Sequence, residues 1–376
     1  MKYSLRVGRI FGIDIFIDSS WVVIFILFTW VLGVSYFPNQ FSNWPASQYW
    51  VVAVFTSILI FASVLVHELA HSLVAQKQGE RVRSITLFIL GGVAQISEEP
   101  KQPLKELVMA LVGPMASLML GLLFFILSLV FRGVSEPLQS SFEYLALINT
   151  ILAIFNLLPG FPMDGGRILR AILWKSTGNL RKATRIASQI GQGFAFFLIF
   201  IGIFQVINGN ISGFWLVFIG WFLHSAAVRG YKQVMIDSLL RGIRAEDLMT
   251  RNFESVHSTL PVQELADEYI LKGKGRVFLV SENERLQGIV CLEDVKEAPR
   301  EKWPEMTVRE IMTPRESLKA VSPNANGRSI LRSLTSKDIH QVPVMEGEKV
   351  LGIICRSDIL RFIQLRSELG DSSESK

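Results

Sequence analysis

The sequence predicts an α-helical polytopic membrane domain of six transmembrane helices, followed by a small α/β module. Three observations carry this. The long apolar runs lie almost entirely before residue 229. Lysine and arginine recur in every second segment between those runs. The stretch after residue 240 has the composition of an ordinary soluble domain and contains an internal repeat. The chain has 376 residues, more than one ordinary domain needs, and is 50% hydrophobic and 19% charged. Its mean hydropathy is +0.37. The formal charge of +5 would suit nucleic acid, but the cations flank apolar runs, so no nucleic-acid partner is expected. Two cysteines, Cys291 and Cys355, are too few for a disulfide framework or a thiolate zinc site. The N-terminus lacks a short apolar core with a small-residue cleavage site, so the first span is expected to stay in the product.

A membrane helix needs about 20 mostly apolar residues. The spans expected are 19–36, 50–75, 105–131, 142–158, 187–207 and 211–228. The fourth is interrupted by Asn149, Asn156 and Pro159. The N-terminal arm carries Lys2, Arg6 and Arg9. The loop after the second span carries Lys77, Arg81, Arg83, Lys101 and Lys105. The loop after the fourth carries Arg167, Arg170, Lys175, Arg181, Lys182 and Arg185. The alternate segments 37–49, 132–141 and 208–210 hold only Arg132. The positive-inside rule then puts both termini and the C-terminal module in the cytosol. A large soluble helical protein would not show this alternation.

The second span contains His67-Glu68-Leu-Ala-His71. Residues four apart share a helix face, so two imidazoles can meet one zinc ion. Glu68 is offset around the helix, within reach of a water activated by that ion, as a general base. Ionisable groups at the centre of a membrane helix cost about 2.5 kcal/mol or more each, so this trio calls for a partner. Histidines bonded to neighbouring helices, or a proton relay, are the other readings. The best third ligand is Asp164, in the segment Asn156-Leu-Leu-Pro159-Gly-Phe-Pro162-Met-Asp164-Gly165-Gly166-Arg167. The prolines end the fourth span. Asp164 also suits the start of the helix that follows, so a capping role stands beside ligation. His71 lies about 9 Å from the cytosolic end of its span at 1.5 Å per residue. Asp164 lies at the cytosolic end of the fourth, so charge counting puts all three ligands on one side.

These two motifs together resemble the site-2 protease family of intramembrane zinc metalloproteases, in the bacterial and archaeal branch with paired cystathionine-β-synthase (CBS) domains. The resemblance covers the whole chain. It implies one Zn2+ per subunit on His67, His71 and Asp164, with Glu68 catalytic. It implies transmembrane protein substrates, a lipid environment and the cell membrane of a prokaryote. Asn156 matches a family asparagine that holds the substrate backbone or the oxyanion; a structural asparagine bonding helix carbonyls is the other reading. The segment Phe88-Ile-Leu-Gly91-Gly92-Val-Ala-Gln-Ile96 resembles a membrane-dipping hairpin that pairs with unwound substrate, as against an ordinary surface loop. Gly113-Pro114 resembles a packing motif.

In the C-terminal part, Ala245-Glu-Asp-Leu-Met249-Thr250 recurs as Val308-Arg-Glu-Ile-Met312-Thr313. Gly288-Ile-Val-Cys291-Leu-Glu-Asp294 recurs as Gly352-Ile-Ile-Cys355-Arg-Ser-Asp358. This resembles a tandem CBS module, which implies adenine nucleotide near Asp294 and Asp358. Cysteines replace the usual hydroxyls three residues before each aspartate, so a structural or homodimerising module and a redox role stay open. The domains expected are 1–230 (protease), 231–243 (linker), 244–300 and 301–367 (CBS domains) and 368–376 (disordered tail).

Overall fold

The computed structural model describes residues 4–89, 91–96, 100, 102–251, 254–282, 285–318, 320–336, 341–347 and 349–371. It divides into two units, Met1–Val234 and Met235–Lys376.

The first unit begins with strands β1 (Ser4–Ile10) and β2 (Ile13–Asp18), an antiparallel hairpin turning at Phe11 and Gly12, both at positive φ. Asp18 then caps helix α1 (Ser19–Val31) by accepting from the Ser20 N–H at 3.0 Å. A π-helical turn, Leu32–Tyr36, carries α1 into the short α2 (Phe37–Gln40). Helix α3 (Ala46–Lys77) follows, then strands β3 (Val82–Phe88) and β4 (Gly91–Ile96). Strand β3 pairs parallel to β2, and β4 pairs antiparallel to β3, so the sheet order is β1-β2-β3-β4 with β4 at an edge. Next come α4 (Pro103–Val130), α5 (Glu136–Asn156), α6 (Asp164–Thr177), α7 (Leu180–Ile207) and α8 (Gly213–Leu239).

Two cores hold this unit. One joins the π-helical turn, α2, α3, α4 and α5 through Leu32, Phe37, Val52, Ile60, Phe124 and Leu145. The other packs the sheet onto α3 and α4 through Ile13, Ile15, Leu69, Val82, Ile85 and Met109. Leu69 lies between His67 and His71 in sequence, so this second core fixes the part of α3 that carries them. The outer helix faces are apolar and exposed, as at Leu118, Leu122, Phe125 and Leu129 of α4, which suits a lipid surround.

Among the described residues, five helical segments are long and apolar enough to cross a membrane: Ser19–Gln40, α3, α4, α5 and α7. The sixth expected span falls in α8, where Trp215, Trp221, His224 and Arg229 dilute the apolar run. Helix α6, at 14 residues, is about 21 Å long and too short to span. Residues 231–239, expected in a linker, continue α8 as helix.

The second unit contains short helices α9 (Ala245–Leu248), α10 (Val262–Glu264), α11 (Leu292–Glu297) and α12 (Val308–Ile311), and the longer α13 (Gly327–Ser336) and α14 (Arg356–Asp371). Strands β5 (Glu254–His257), β6 (Val277–Glu282), β7 (Arg285–Cys291) and β8 (Thr313–Pro314) form one sheet; β9 (Gln341–Glu346) and β10 (Lys349–Cys355) form another. The sequence repeat is a structural one with exchanged edges. Ile289 of the first repeat pairs with Thr313 of the second, and Ile353 of the second pairs with Thr250 of the first. A Cβ on Gly288 would meet the Thr313 carbonyl oxygen at 2.5 Å, and one on Gly352 would meet Met249 at 2.7 Å. Each repeat glycine therefore admits the start of the other repeat. Of the tail expected to be disordered, residues 368–371 belong to α14 and 372–376 lie outside the described residues.

Candidate metal centre

The residues of the α3 motif meet Asp164 as the spacing requires. His67 Nε2 lies 3.2 Å from Asp164 Oδ2, His71 Nε2 lies 3.0 Å from the same oxygen, and the two Nε2 atoms are 3.2 Å apart. Tetrahedral ligand atoms about 2.0 Å from a zinc ion stand about 3.3 Å from one another, so the triangle has the right edge. All three residues are buried.

The protonation pattern points the same way. His71 Nδ1 is 2.6 Å from the Met109 carbonyl oxygen, which can only accept, so Nδ1 carries the proton and Nε2 presents a lone pair. His67 Nδ1 is 2.8 Å from Ser117 Oγ, which leaves its Nε2 turned to the same centre. A lone pair on His71, a carboxylate oxygen and a second imidazole nitrogen thus converge at about 3 Å, an arrangement that a cation between them stabilises. Space is kept for it. A Cβ on Gly113 would lie 2.8 Å from His67 Nε2 and closer still to His71 Nε2, inside the volume a metal ion needs. The donor set, its burial and the missing Cβ all fit zinc.

Local sequence explains how Asp164 arrives there. Pro159 and Pro162 break the chain after α5, and α6 restarts at once. A Cβ on Gly165 would run into the carbonyl oxygens of Leu157 and Leu158; one on Gly166 would strike the backbone of Gly160 and Phe161. The two glycines let the first turn of α6 lie directly on the broken segment. The N-cap position is Met163, so Asp164 is not the capping residue; it adds favourable charge to the first turn while its carboxylate faces the imidazoles.

Gly92 of β4 lies against Glu68, since a Cβ there would stand 2.5 Å from Glu68 Cγ. Gly91, at φ 126, makes the turn into β4. The hairpin thus lies beside the glutamate, with one edge of β4 unpaired within its sheet. Asn156 is not brought into the metal cluster. Its Nδ2 donates to the Leu152 carbonyl at 3.0 Å, within its own helix.

Sequence reasoning missed four contributors. Ser117 and the Met109 carbonyl orient the histidines, and Gly113 clears the metal's space. The usable signal was Gly113 and Ser117 at i and i+4, one face of α4. The fourth is the buried ion pair of Glu106 on α4 with Arg170 on α6, which ties the helix of Asp164 to the helix whose Ser117 and Met109 contact the histidines of α3. Two charges inside otherwise apolar packing were the available hint.

In the second unit, Asp294 Oδ2 accepts from the Cys291 N–H at 2.7 Å, and Asp358 Oδ2 from the Cys355 N–H at 3.0 Å. Gln341 Nε2, from the other repeat, lies 3.3 Å from Asp294 Oδ2. Both thiols are buried. Burial, reinforced by the neighbouring carboxylates, pushes their pKa values far above the ordinary thiol range.

Comparison with known proteins agrees with this layout. The model of peptidase family M50 matches residues 55–137 and 133–199, and that of the CBS domain matches 245–301 and 308–365. The chain is 34% identical to sll0528 of Synechocystis sp., named as a zinc metalloprotease, over 97% of this chain and 96% of that one. It is 34% identical to the zinc metalloprotease MJ0392 of Methanocaldococcus jannaschii, over 99% of this chain and 100% of the relative. The solved site-2 protease from Methanocaldococcus jannaschii aligns over 60% of this chain and 94% of its own, at 35% identity and a TM-score of 0.43.

Proposed function

From the premise that this chain belongs to peptidase family M50, the site-2 protease type of zinc metalloprotease, with two CBS domains, we propose that it cuts membrane-protein substrates in or near a transmembrane segment. The observation that carries the reading is the convergence of His67, His71 and Asp164 in a unit whose surrounding helices are apolar and long enough to span a bilayer. Bound zinc would supply Lewis acidity, bringing the pKa of water toward about 7. Glu68 takes a proton from the attacking water and returns it to the departing amine. His71, held in one tautomer by Met109, and Asp164 keep the donor set rigid. The free edge of β4, which Gly92 sets against Glu68, supports strand addition by an unwound substrate segment. Gly91 and Gly92 are then substrate-binding residues. Asn156 holds the Leu152 carbonyl with one amide N–H, so a contribution to substrate would fall to its second N–H.

In the proposed topology α8 supplies a sixth span, both termini are cytosolic, and cleavage occurs near the cytosolic face of a prokaryotic cell membrane. The direct test uses the zinc-loaded, full-length protein in detergent with a single-span reporter weakened by Gly-Pro near its cytosolic end. A cut within that weakened half is expected; a cut only in the soluble flanks, or in the opposite half of the span, overturns the reading.

For the second unit we propose regulation by adenine nucleotide, with homodimerisation through the module as the competing role. Support comes from Asp358, whose carboxylate receives one backbone N–H and keeps capacity at the start of the 16-residue helix α14. At Asp294 the same oxygen is shared with Gln341, so the two positions are not equivalent. Calorimetry of the full-length protein with ATP, ADP and AMP tests this. No heat at millimolar nucleotide, with unchanged proteolysis, ends the nucleotide proposal.

A further inference from the structure

Helix α6 carries two arginines three residues apart in opposite surroundings. Arg170 is 3% exposed, donates from Nε to Glu106 Oε1 at 2.6 Å, and sits 4.9 Å over the Phe161 ring. Its charge is fully engaged, as a buried guanidinium requires. Arg167 lies one turn from Asp164 and is half-buried. Among the described residues no carboxylate lies within ion-pairing distance of it. The partner of its Nη2 is the sulfur of Met109, a weak acceptor, at 4.0 Å.

That contact locates the guanidinium. The carbonyl of the same Met109 is 2.6 Å from His71 Nδ1, so the sulfur and the carbonyl of one residue touch Arg167 and the metal-site histidine. Arg167 is also within Coulombic range of Glu68 and Asp164. A guanidinium with five donors, always charged and with no ion-pair partner among the described residues, therefore stands at the rim of the cluster. Its sign suits one event in peptide hydrolysis. As the water oxygen bonds to the carbonyl carbon, the C=O pair moves onto oxygen and Glu68 takes a proton. The oxyanion pair then re-forms C=O as the C–N bond breaks with its pair going to nitrogen, which receives that proton. The second proton of the water, left on the new acid, passes to the amine, so the products are a carboxylate and an ammonium. Negative charge thus appears on the former carbonyl oxygen and returns in the product carboxylate. Asn156 has committed one of its two amide donors to Leu152, whereas the charged Arg167 fork spends only a weak contact on a sulfur.

We propose that Arg167 is a catalytic residue, whose guanidinium donates to the scissile carbonyl oxygen as it becomes an oxyanion and then to the product carboxylate. This rests on the proteolytic reading above. Loss of one oxyanion donor costs about 10²–10³ in kcat.

The test compares full-length wild type, Arg167→Met and Arg167→Lys, each assayed for zinc content, for kcat and KM on the single-span reporter, and for binding of a peptide phosphinate with an anionic tetrahedral centre. For Arg167→Met we expect one zinc per chain, KM within about threefold of wild type, kcat down about 10²–10³, and phosphinate binding weakened to a similar degree. Arg167→Lys should recover at least about tenfold of the lost kcat, since it restores the charge without the fork. Loss of zinc along with activity would make Arg167 a support for Asp164 and overturn the proposal. So would an unchanged kcat, or a loss confined to KM. If wild type fails to cut the reporter, the proteolytic reading falls. The phosphinate comparison still decides Arg167: equal binding by wild type and Arg167→Met overturns the proposal.

Discussion

Gly113 of α4 faces His71 of α3 so closely that any side chain at 113 would enter the space between the two imidazoles. Gly113→Ala replaces a helix glycine with the best helix former, so the helix itself gains about 1 kcal/mol. We expect the opposite outcome at the metal. Zinc content should fall from near one per chain to near zero, with the helical circular-dichroism signal unchanged. Full zinc occupancy in the variant would mean that the neighbouring imidazoles shift to absorb the methyl group.

Glu68→Gln should abolish cleavage while leaving zinc bound. The side chain lies one residue from His67 but is turned to Gly92 rather than into the ligand triangle. General-base loss costs about 10²–10⁴ in rate. Residual proteolysis above a few per cent of wild type, with zinc content normal, would remove Glu68 from this role.

Asp164→Ala takes away one corner of the triangle and should lower zinc affinity and activity together. Metal titration against a chelating indicator reads the first, and reporter cleavage the second. A variant that keeps full affinity would show that another residue completes the site.

The convergence of His67, His71 and Asp164 was legible because each part leaves a periodic or punctuating trace. His67 and His71 are four apart, and the proline-glycine cluster announces that the chain turns before Asp164. The repeat in the second unit was legible because the same words occur twice. Its exchange of edges, Ile289 with Thr313 and Ile353 with Thr250, was not, because pairing between distant segments leaves no local pattern. Ser117 and Met109 were missed for a related reason: a backbone carbonyl has no sequence signature, and a lone serine has too many uses. The expectation for Asn156 rested on resemblance alone, and the bond to Leu152 is the kind of local alternative that amide side chains always have at a helix end. The start of helix α6 was legible in Asp164 and the run that follows it, but its 14-residue extent was not, because it falls in what composition presents as a basic loop.

Glu106 and Arg170 should act as one unit. Either single removal, Glu106→Gln or Arg170→Met, leaves a buried partner short of its counter-charge. Breaking a buried pair in this way costs about 3–5 kcal/mol. Thermal melting of the detergent-solubilised protein should fall markedly for each single variant. The double variant Glu106→Leu/Arg170→Met should recover a good part of the loss, because two apolar side chains leave no stranded charge. Additive losses in the double variant would show that the two residues stabilise through separate contacts.

Cys291 and Cys355 should be unreactive in the folded protein. Burial and the adjacent carboxylates hold both thiols protonated at pH values where a free cysteine is largely thiolate. Maleimide at pH 8 is therefore expected to label neither in native protein and both after denaturation, as counted by intact mass. The same shift sets a pH dependence. In the unfolded chain each thiol ionises near pH 8.5, whereas in the fold it stays protonated, so the folded state binds more protons above that value. The contribution of these thiols to stability is fully present below about pH 8 and declines as pH rises past 9, by up to about 1.4 kcal/mol per pH unit for each. Replacing both with alanine should flatten that alkaline limb of the second unit's melting curve. Rapid native labelling of either thiol would instead expose it as a reactive, redox-competent group.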